Sequence, residues 1–167
     1  MMEPSTDKAF INLINQNLGI AYKVSQFYFD DAENRQDAIQ EMMYQLWKSY
    51  PSFDGRSKFS TWMYKVCLNT ALTYLKSNKR NKNEPLQENH YHLPSEPENN
   101  KEEELRLLEL AIGQLSSLNK AIVLLYLDGF EYSEISEVTG LSKSNVSVRL
   151  VRIRRELELK IKQKLNR

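Results

Sequence analysis

EYSEISEVTGLSKSNVSVRLVRIRREL, residues 131–157, is the stretch of this 167-residue chain that decides how the rest is read. Ser133 is a residue type that caps the start of a short helix, and Gly140 tolerates the left-handed backbone that ends one. Ser142 then caps the next. Two caps and a glycine turn predict a helix-turn-helix. In the second of these helices Val146, Leu150, Ile153, Leu157 and Ile161 fall on one stripe and supply the core. That leaves Lys143, Ser144, Ser147, Val148, Arg149, Val151, Arg152 and Arg155 on outer or flanking positions. Side chains in the first turns of such a helix reach a major groove, where arginine pairs bidentately with guanine and small residues allow close approach. A purely structural hairpin with a basic end is the bland alternative. Against it stands the tail from Leu141 to Arg167, which carries nine cations and two acids, net +7, and so favours duplex DNA.

Working toward the N-terminus, Leu105, Leu108, Ile112 and Leu115 predict one amphipathic helix, and Leu118–Leu127 a second, largely buried one. Before them, residues 81–104 hold three of the five prolines, seven acids, and only Leu86, Tyr91 and Leu93 as sizeable apolar groups. Such a segment cannot bury a core and predicts a flexible acidic linker. His90 and His92 fall inside it. Without nearby cysteines they are expected to be solvated histidines rather than metal ligands.

The N-terminal part predicts three helices. Phe10, Ile14, Leu18, Ala21 and Tyr28 keep helical spacing, with Asp7 favouring the helix start. Ile39, Met42, Met43, Leu46, Trp47 and Tyr50 mark a second helix, expected to be capped by Asn34 with Asp37 and ended by Pro51. Its polar face presents Asp37, Gln40, Glu41, Tyr44 and Lys48, an acidic and amide surface with one aromatic, suited to a protein partner. The third helix, from about Lys58 to Lys79, buries Tyr64, Leu68, Ala71, Leu72 and Leu75. Its opposite side carries Phe59, Trp62 and Val66, then Asn69, Thr73, Lys76 and Arg80. Aromatics, an amide and cations in register are the components that hold unstacked bases along a phosphate track, although for Phe59 or Trp62 taken alone packing under a neighbouring loop is the stronger reading. The preceding FDGRSK, Phe53–Lys58, offers a glycine hinge, donors and two cations, enough to wall a pocket for one extruded base.

Composition narrows the class. Five glycines, five prolines and 10% aromatic residues exclude collagen-like and wholly disordered chains. One cysteine, Cys67, makes no internal disulfide and no zinc site, which points to a reducing compartment. Met1–Phe10 lacks a signal pattern and no run approaches a membrane span, so a cytoplasmic protein is expected. The formal net charge of +1 hides segregation: net +4 over residues 76–82, −6 over 83–104, −3 over 105–140 and +7 beyond. Two basic patches set apart by acidic protein suit a ligand with two spaced phosphate tracts.

At these residues the sequence resembles a bacterial RNA polymerase sigma factor of the extracytoplasmic-function (ECF) type, among the smallest members of the sigma-70 family. Three motifs carry the resemblance in the family's order: DAIQEMMYQLWKSYPSFDG, SKFSTWMYKVCLNTALTYLKSNKR, and the helix-turn-helix ending SNVSVRLVRIRREL. It implies an all-α chain of two small helical domains joined by a flexible linker: sigma region 2 at residues 1–80, the linker at 81–104, and sigma region 4 at 105–167. It implies core RNA polymerase and promoter DNA as partners, with Asp37, Gln40, Glu41, Tyr44 and Lys48 on the polymerase. Phe53, Asp54, Gly55, Arg56, Ser57 and Lys58 would form the loop that captures a flipped base. Phe59, Trp62, Asn69, Thr73, Lys76, Lys79 and Arg80 would continue along the melted strand. Lys143, Ser144, Asn145, Ser147, Val148, Arg149, Val151 and Arg152 would read the duplex element further upstream. Family members are often held inactive by an anti-sigma protein, frequently membrane-tethered, while the sigma factor itself does not insert in the membrane. Ser136 departs from the family's usual alanine, and Ser147 and Val148 stand where a cation and a small hydroxyl residue are frequent.

No cofactor, metal or catalytic residue is implied. A stand-alone helix-turn-helix regulator would use a symmetric dimer, and no dimerising coiled coil is legible. A nuclease would need convergent acids in a pocket, whereas the acids here lie on helix exteriors or in the linker.

Overall fold

In the computed structural model the described residues are 4–82 and 99–166. Among them there are helices and turns and no strand, in two compact units dividing at residues 85 and 86.

The first unit contains α1 (Pro4–Gln16), α2 (Leu18–Tyr28), α3 (Ala32–Ser49) and α4 (Phe59–Lys82), with one 3₁₀ turn at Tyr50–Ser52. The expected single first helix is two. At Asn17 the side-chain amide donates to the Leu13 carbonyl at 2.9 Å, and the backbone leaves helical geometry (φ −121°, ψ 14°). An asparagine that competes for its own helix's carbonyls interrupts the ladder in this way. Phe10, Ile14, Ala21 and Tyr28 are nevertheless all buried. α4 packs on both α2 and α3, and the three share a core built around Val24, Met42, Leu46, Met63, Tyr64 and Cys67.

α3 is capped by Asp31, not by Asn34 with Asp37. Asp31 is extended (φ −104°, ψ 155°) and its Oδ1 accepts from the Asn34 amide at 2.7 Å, so the chain enters the helix three residues earlier than expected. Arg35 fixes the α2–α3 corner by donating from Nε to the Phe29 carbonyl at 2.8 Å. Ala38, Met42 and Leu46 form the buried stripe. Trp47, expected in it, is 50% exposed, because one residue beyond Leu46 is about 100° round the helix. Pro51 does end the helix, entering the 3₁₀ turn.

The second unit contains α5 (Asn100–Gly113), α6 (Ser117–Leu127), α7 (Tyr132–Thr139) and α8 (Lys143–Leu165). α5 opens inside the stretch expected as linker. Asn99 Oδ1 accepts from the Glu102 amide at 2.9 Å, and Glu102 and Glu103 sit in the first turn, so these acids mark a helix N-terminus. The rest of the expected linker, 83–98 with His90 and His92, lies outside the described residues. α8 packs against α5, α6 and α7 over Ile112, Ile122, Leu125, Ile135, Val146 and Ile153. Leu105, expected in the core, is exposed, and α6 is buried only as far as Leu125, with Tyr126 and Leu127 exposed.

Candidate nucleic-acid and polymerase-docking surfaces

The helix-turn-helix is α7, a turn at Gly140–Ser142, and α8. Ser133 lies within α7 and does not cap it; the helix follows Glu131, whose backbone N–H donates to the Glu134 carboxylate at 2.9 Å. Gly140 adopts φ +78° and donates to the Ser136 carbonyl at 2.9 Å. The Ser136 hydroxyl donates to the Leu141 carbonyl, so the departure from alanine adds a bond across the turn. Ser142 Oγ accepts from the Asn145 amide at 3.1 Å, which caps α8 as expected.

Turning along α8, Val146 and Ile153 are fully buried, while Leu150, Leu157 and Ile161 are half-buried. Lys143, Ser144, Asn145, Val148 and Arg152 are exposed near its start, and Ser147 is half-buried. Two of the residues expected on outer or flanking positions sit on its flanks. Val151, although 52% exposed, lines an apolar groove of about 580 Å³ together with Tyr126, Leu127 and Leu157. Arg149 turns toward α6, where its Nη1 donates to Asn119 Oδ1 at 3.2 Å; its Nε donates to Asn145 Oδ1 at 3.3 Å. Asn119 carried no signal in the sequence, being thirty positions away from Arg149.

In the first unit Asp37, Gln40, Glu41, Tyr44 and Lys48 are all exposed on α3, joined there by Trp47. Gln45 donates to Glu41 Oε1 at 2.9 Å. A groove of about 380 Å³ between α3 and α4 is lined by Glu41, Gln45, Asn69, Thr70, Thr73, Tyr74 and Ser77. It brings a residue expected to meet polymerase beside two expected to meet DNA.

The Phe53–Lys58 loop starts in an aromatic cluster. Phe53 stacks with Tyr50 at 6.3 Å between ring centroids, meets Phe59 edge-on at 5.6 Å and leans on Trp62 at 5.2 Å. Phe10 closes the far side against Tyr50 at 4.8 Å. Phe59 is 9% exposed, so its ring is occupied by packing and it offers no face to a base; Trp62 and Phe53 are half-buried. Beyond them the loop is open. Gly55 takes φ +77°, and Arg56 pairs with Asp54 at 3.1 Å while remaining highly exposed. Ser57 is half-buried and Lys58 exposed. Along α4, Asn69, Thr73 and Lys76 are exposed, and the side chains of Lys79 and Arg80 lie outside the described residues.

Cys67 faces the core, where burial pushes its thiol up to about 12. Such a thiol stays protonated and unreactive. Among the described residues no cluster of three His, Cys, Asp or Glu side chains can hold a metal ion, and no helix is long and apolar enough to cross a membrane.

The family model for sigma-70 region 2 matches residues 13–81, and that for sigma-70 region 4 matches residues 105–157. The ECF RNA polymerase sigma-E factor of Escherichia coli K12 is 30% identical over 144 residues, covering 78% of this chain and 75% of that protein. The chain belongs to the ECF sigma factors of the sigma-70 family. The sigma-E factor of Haemophilus influenzae is 29% identical over 185 residues, 96% of this chain and 98% of its own length. As a sigma factor the protein directs transcription initiation, with core RNA polymerase and promoter DNA as partners. The fold is also similar to two solved structures. One is the sigma factor RpoE in complex with the anti-sigma factor NepR from Bartonella quintana (TM-score 0.76, 17% identity, 93% of this chain and 98% of that one). The other is CnrH in complex with the cytosolic domain of CnrY (TM-score 0.67, 18% identity, 94% and 90%).

Proposed function

We propose a division of labour within this sigma factor. Residues 1–80 act as region 2: Asp37, Gln40, Glu41, Tyr44 and Lys48 dock on core polymerase, while the Phe53–Lys58 loop, Trp62, Asn69, Thr73 and Lys76 hold the melted strand. Residues 105–167 act as region 4, with the start of α8 in the major groove of the duplex element, and residues 81–104 join the two. One observation carries this reading: in each unit most residues assigned to partners are exposed, with Phe53, Ser57, Trp62 and Ser147 half-buried, while the opposite faces of the helices are buried. The protein is a non-enzymatic subunit and works in the cytoplasm, where polymerase and chromosome are. Control by an anti-sigma protein fits the likeness to RpoE, whose structure is a complex with the anti-sigma factor NepR.

The energetics explain why polymerase is needed. Extruding a base costs a few kcal/mol and stacking it on an aromatic returns about 1–3 kcal/mol, so one pocket offsets only a local opening. The test is run-off transcription by core polymerase with the full chain over a promoter library. Glu41→Lys is expected to lower polymerase affinity about tenfold or more, through charge reversal in the docking face. Arg152→Ala is expected to weaken duplex recognition and leave docking intact. A Glu41→Lys protein that docks normally, or an Arg152→Ala protein that does not dock, rejects the assignment.

A further inference from the structure

Arg149 stands near the start of α8, and its two observed partners are amides rather than acids. Its Nε donates to Asn145 Oδ1 one turn earlier, and its Nη1 donates to Asn119 Oδ1 on the first turn of α6. Neither partner carries charge, so the cation is oriented without being neutralised. A carboxylate at position 119 would hold the same guanidinium more strongly but would compete with a base or phosphate for it. Guanidinium has five N–H donors in a fixed plane; two are used here, and the three that remain suffice for a bidentate contact with guanine O6 and N7. Asn119 is itself well anchored. Its backbone amide donates to the Ser116 cap, and the residues that follow it, Lys120–Leu125, are buried.

From this we infer that Asn119 is a positioning residue for promoter recognition: it fixes the plane of the Arg149 guanidinium before the duplex arrives, and so sharpens base choice at the pair that Arg149 meets. The inference rests on α8 reading duplex DNA through Arg149, and it adds a second helix to the reading head.

The experiment is holoenzyme transcription from a library randomised over the upstream duplex element, scored as the base preference at each position. Arg149→Ala should flatten preference at one or two base pairs. Asn119→Ala should reduce preference at those same pairs by about threefold to tenfold, the scale of one lost hydrogen bond, and leave the other positions alone. In an Arg149→Lys background, where the planar fork is gone, Asn119→Ala should leave the profile unmoved. Uniform loss at all positions with a lowered melting temperature would make Asn119 a packing residue and overturn the inference, as would a gain in selectivity, which would mean that Asn119 withholds the arginine. If Arg149→Ala changes the profile and Asn119→Ala does not, positioning alone fails. If Arg149→Ala itself changes nothing, Arg149 does not read the duplex and positioning falls with it.

Discussion

Cys67 and Asn69 sit two residues apart on α4 and have opposite fates. The Cys67 thiol is fully buried, and its pKa of about 12 lies above the roughly 8.5 of an exposed thiol, so the fold favours the protonated form. Stability from this group is therefore complete below about pH 8.5 and is lost as pH rises toward 12, at up to about 1.4 kcal/mol per pH unit. Burial pushes the Tyr28 hydroxyl up in the same direction, adding to the loss above about pH 10. Urea unfolding at pH 8 and pH 9.5 should show wild type losing stability between them, and Cys67→Ala, although less stable at pH 8, losing less. Equal losses would place the thiolate at no disadvantage in the fold. Asn69 by contrast is exposed in the α3–α4 groove. Asn69→Ala should slow promoter opening by about threefold to tenfold, the expected scale of one hydrogen bond, while recruitment to the closed duplex promoter changes less. Equal loss in both assays would remove it from strand capture. Phe59 marks where reading by residue type stops. An aromatic on a helix face can serve a base or a core, and for Phe59 its neighbours Phe53 and Trp62 decided for the core.

At the scale of elements, the helix-turn-helix depends on a few backbone devices that can be tested one at a time. Gly140→Ala puts a side chain on a left-handed backbone with φ +78° and should cost about 1 kcal/mol by the usual glycine penalty. Ser136→Ala removes the bond to the Leu141 carbonyl and should cost about 0.5–1.5 kcal/mol. Thermal melts of the two single variants and the double variant measure both. If the terms add in full, the turn and the hydroxyl act separately; a double variant no worse than Gly140→Ala would show that the hydroxyl bond is lost once the turn is strained. The helices themselves were legible because each carries apolar side chains at the helical period. Their ends were less so. Asp31, Asn99 and Glu131 each open a helix that the sequence placed elsewhere or later, because several polar residues in a row are all competent caps and the chain uses the one whose backbone is extended at the entry to the packed helix.

For the whole molecule, charge rather than shape sets the behaviour of the free protein. With a formal net charge of +1 and its net positive charge confined to two segments, the isolated chain should bind promoter duplex weakly at cellular salt. Each phosphate it neutralises adds about −0.9 to the slope of log affinity against log salt, so a titration from 50 to 200 mM salt should abolish most binding by free protein. Salt-resistant, tight binding by the free protein as a symmetric dimer would instead describe a stand-alone regulator. The sequence by itself determined that the chain is all helical, that it has two apolar units either side of an acidic proline-containing stretch, and which family it belongs to, because periodicity, turn residues and motif order are all local or linear properties. Only the tertiary structure decided which residues at the edges of each packed stripe join the core. Trp47 left the core and Phe59 joined it because burial is settled by neighbours distant in sequence. Arg149 found Asn119 for the same reason: a hydrogen bond spanning thirty residues requires two helices to be packed first, and no pattern along the chain encodes it.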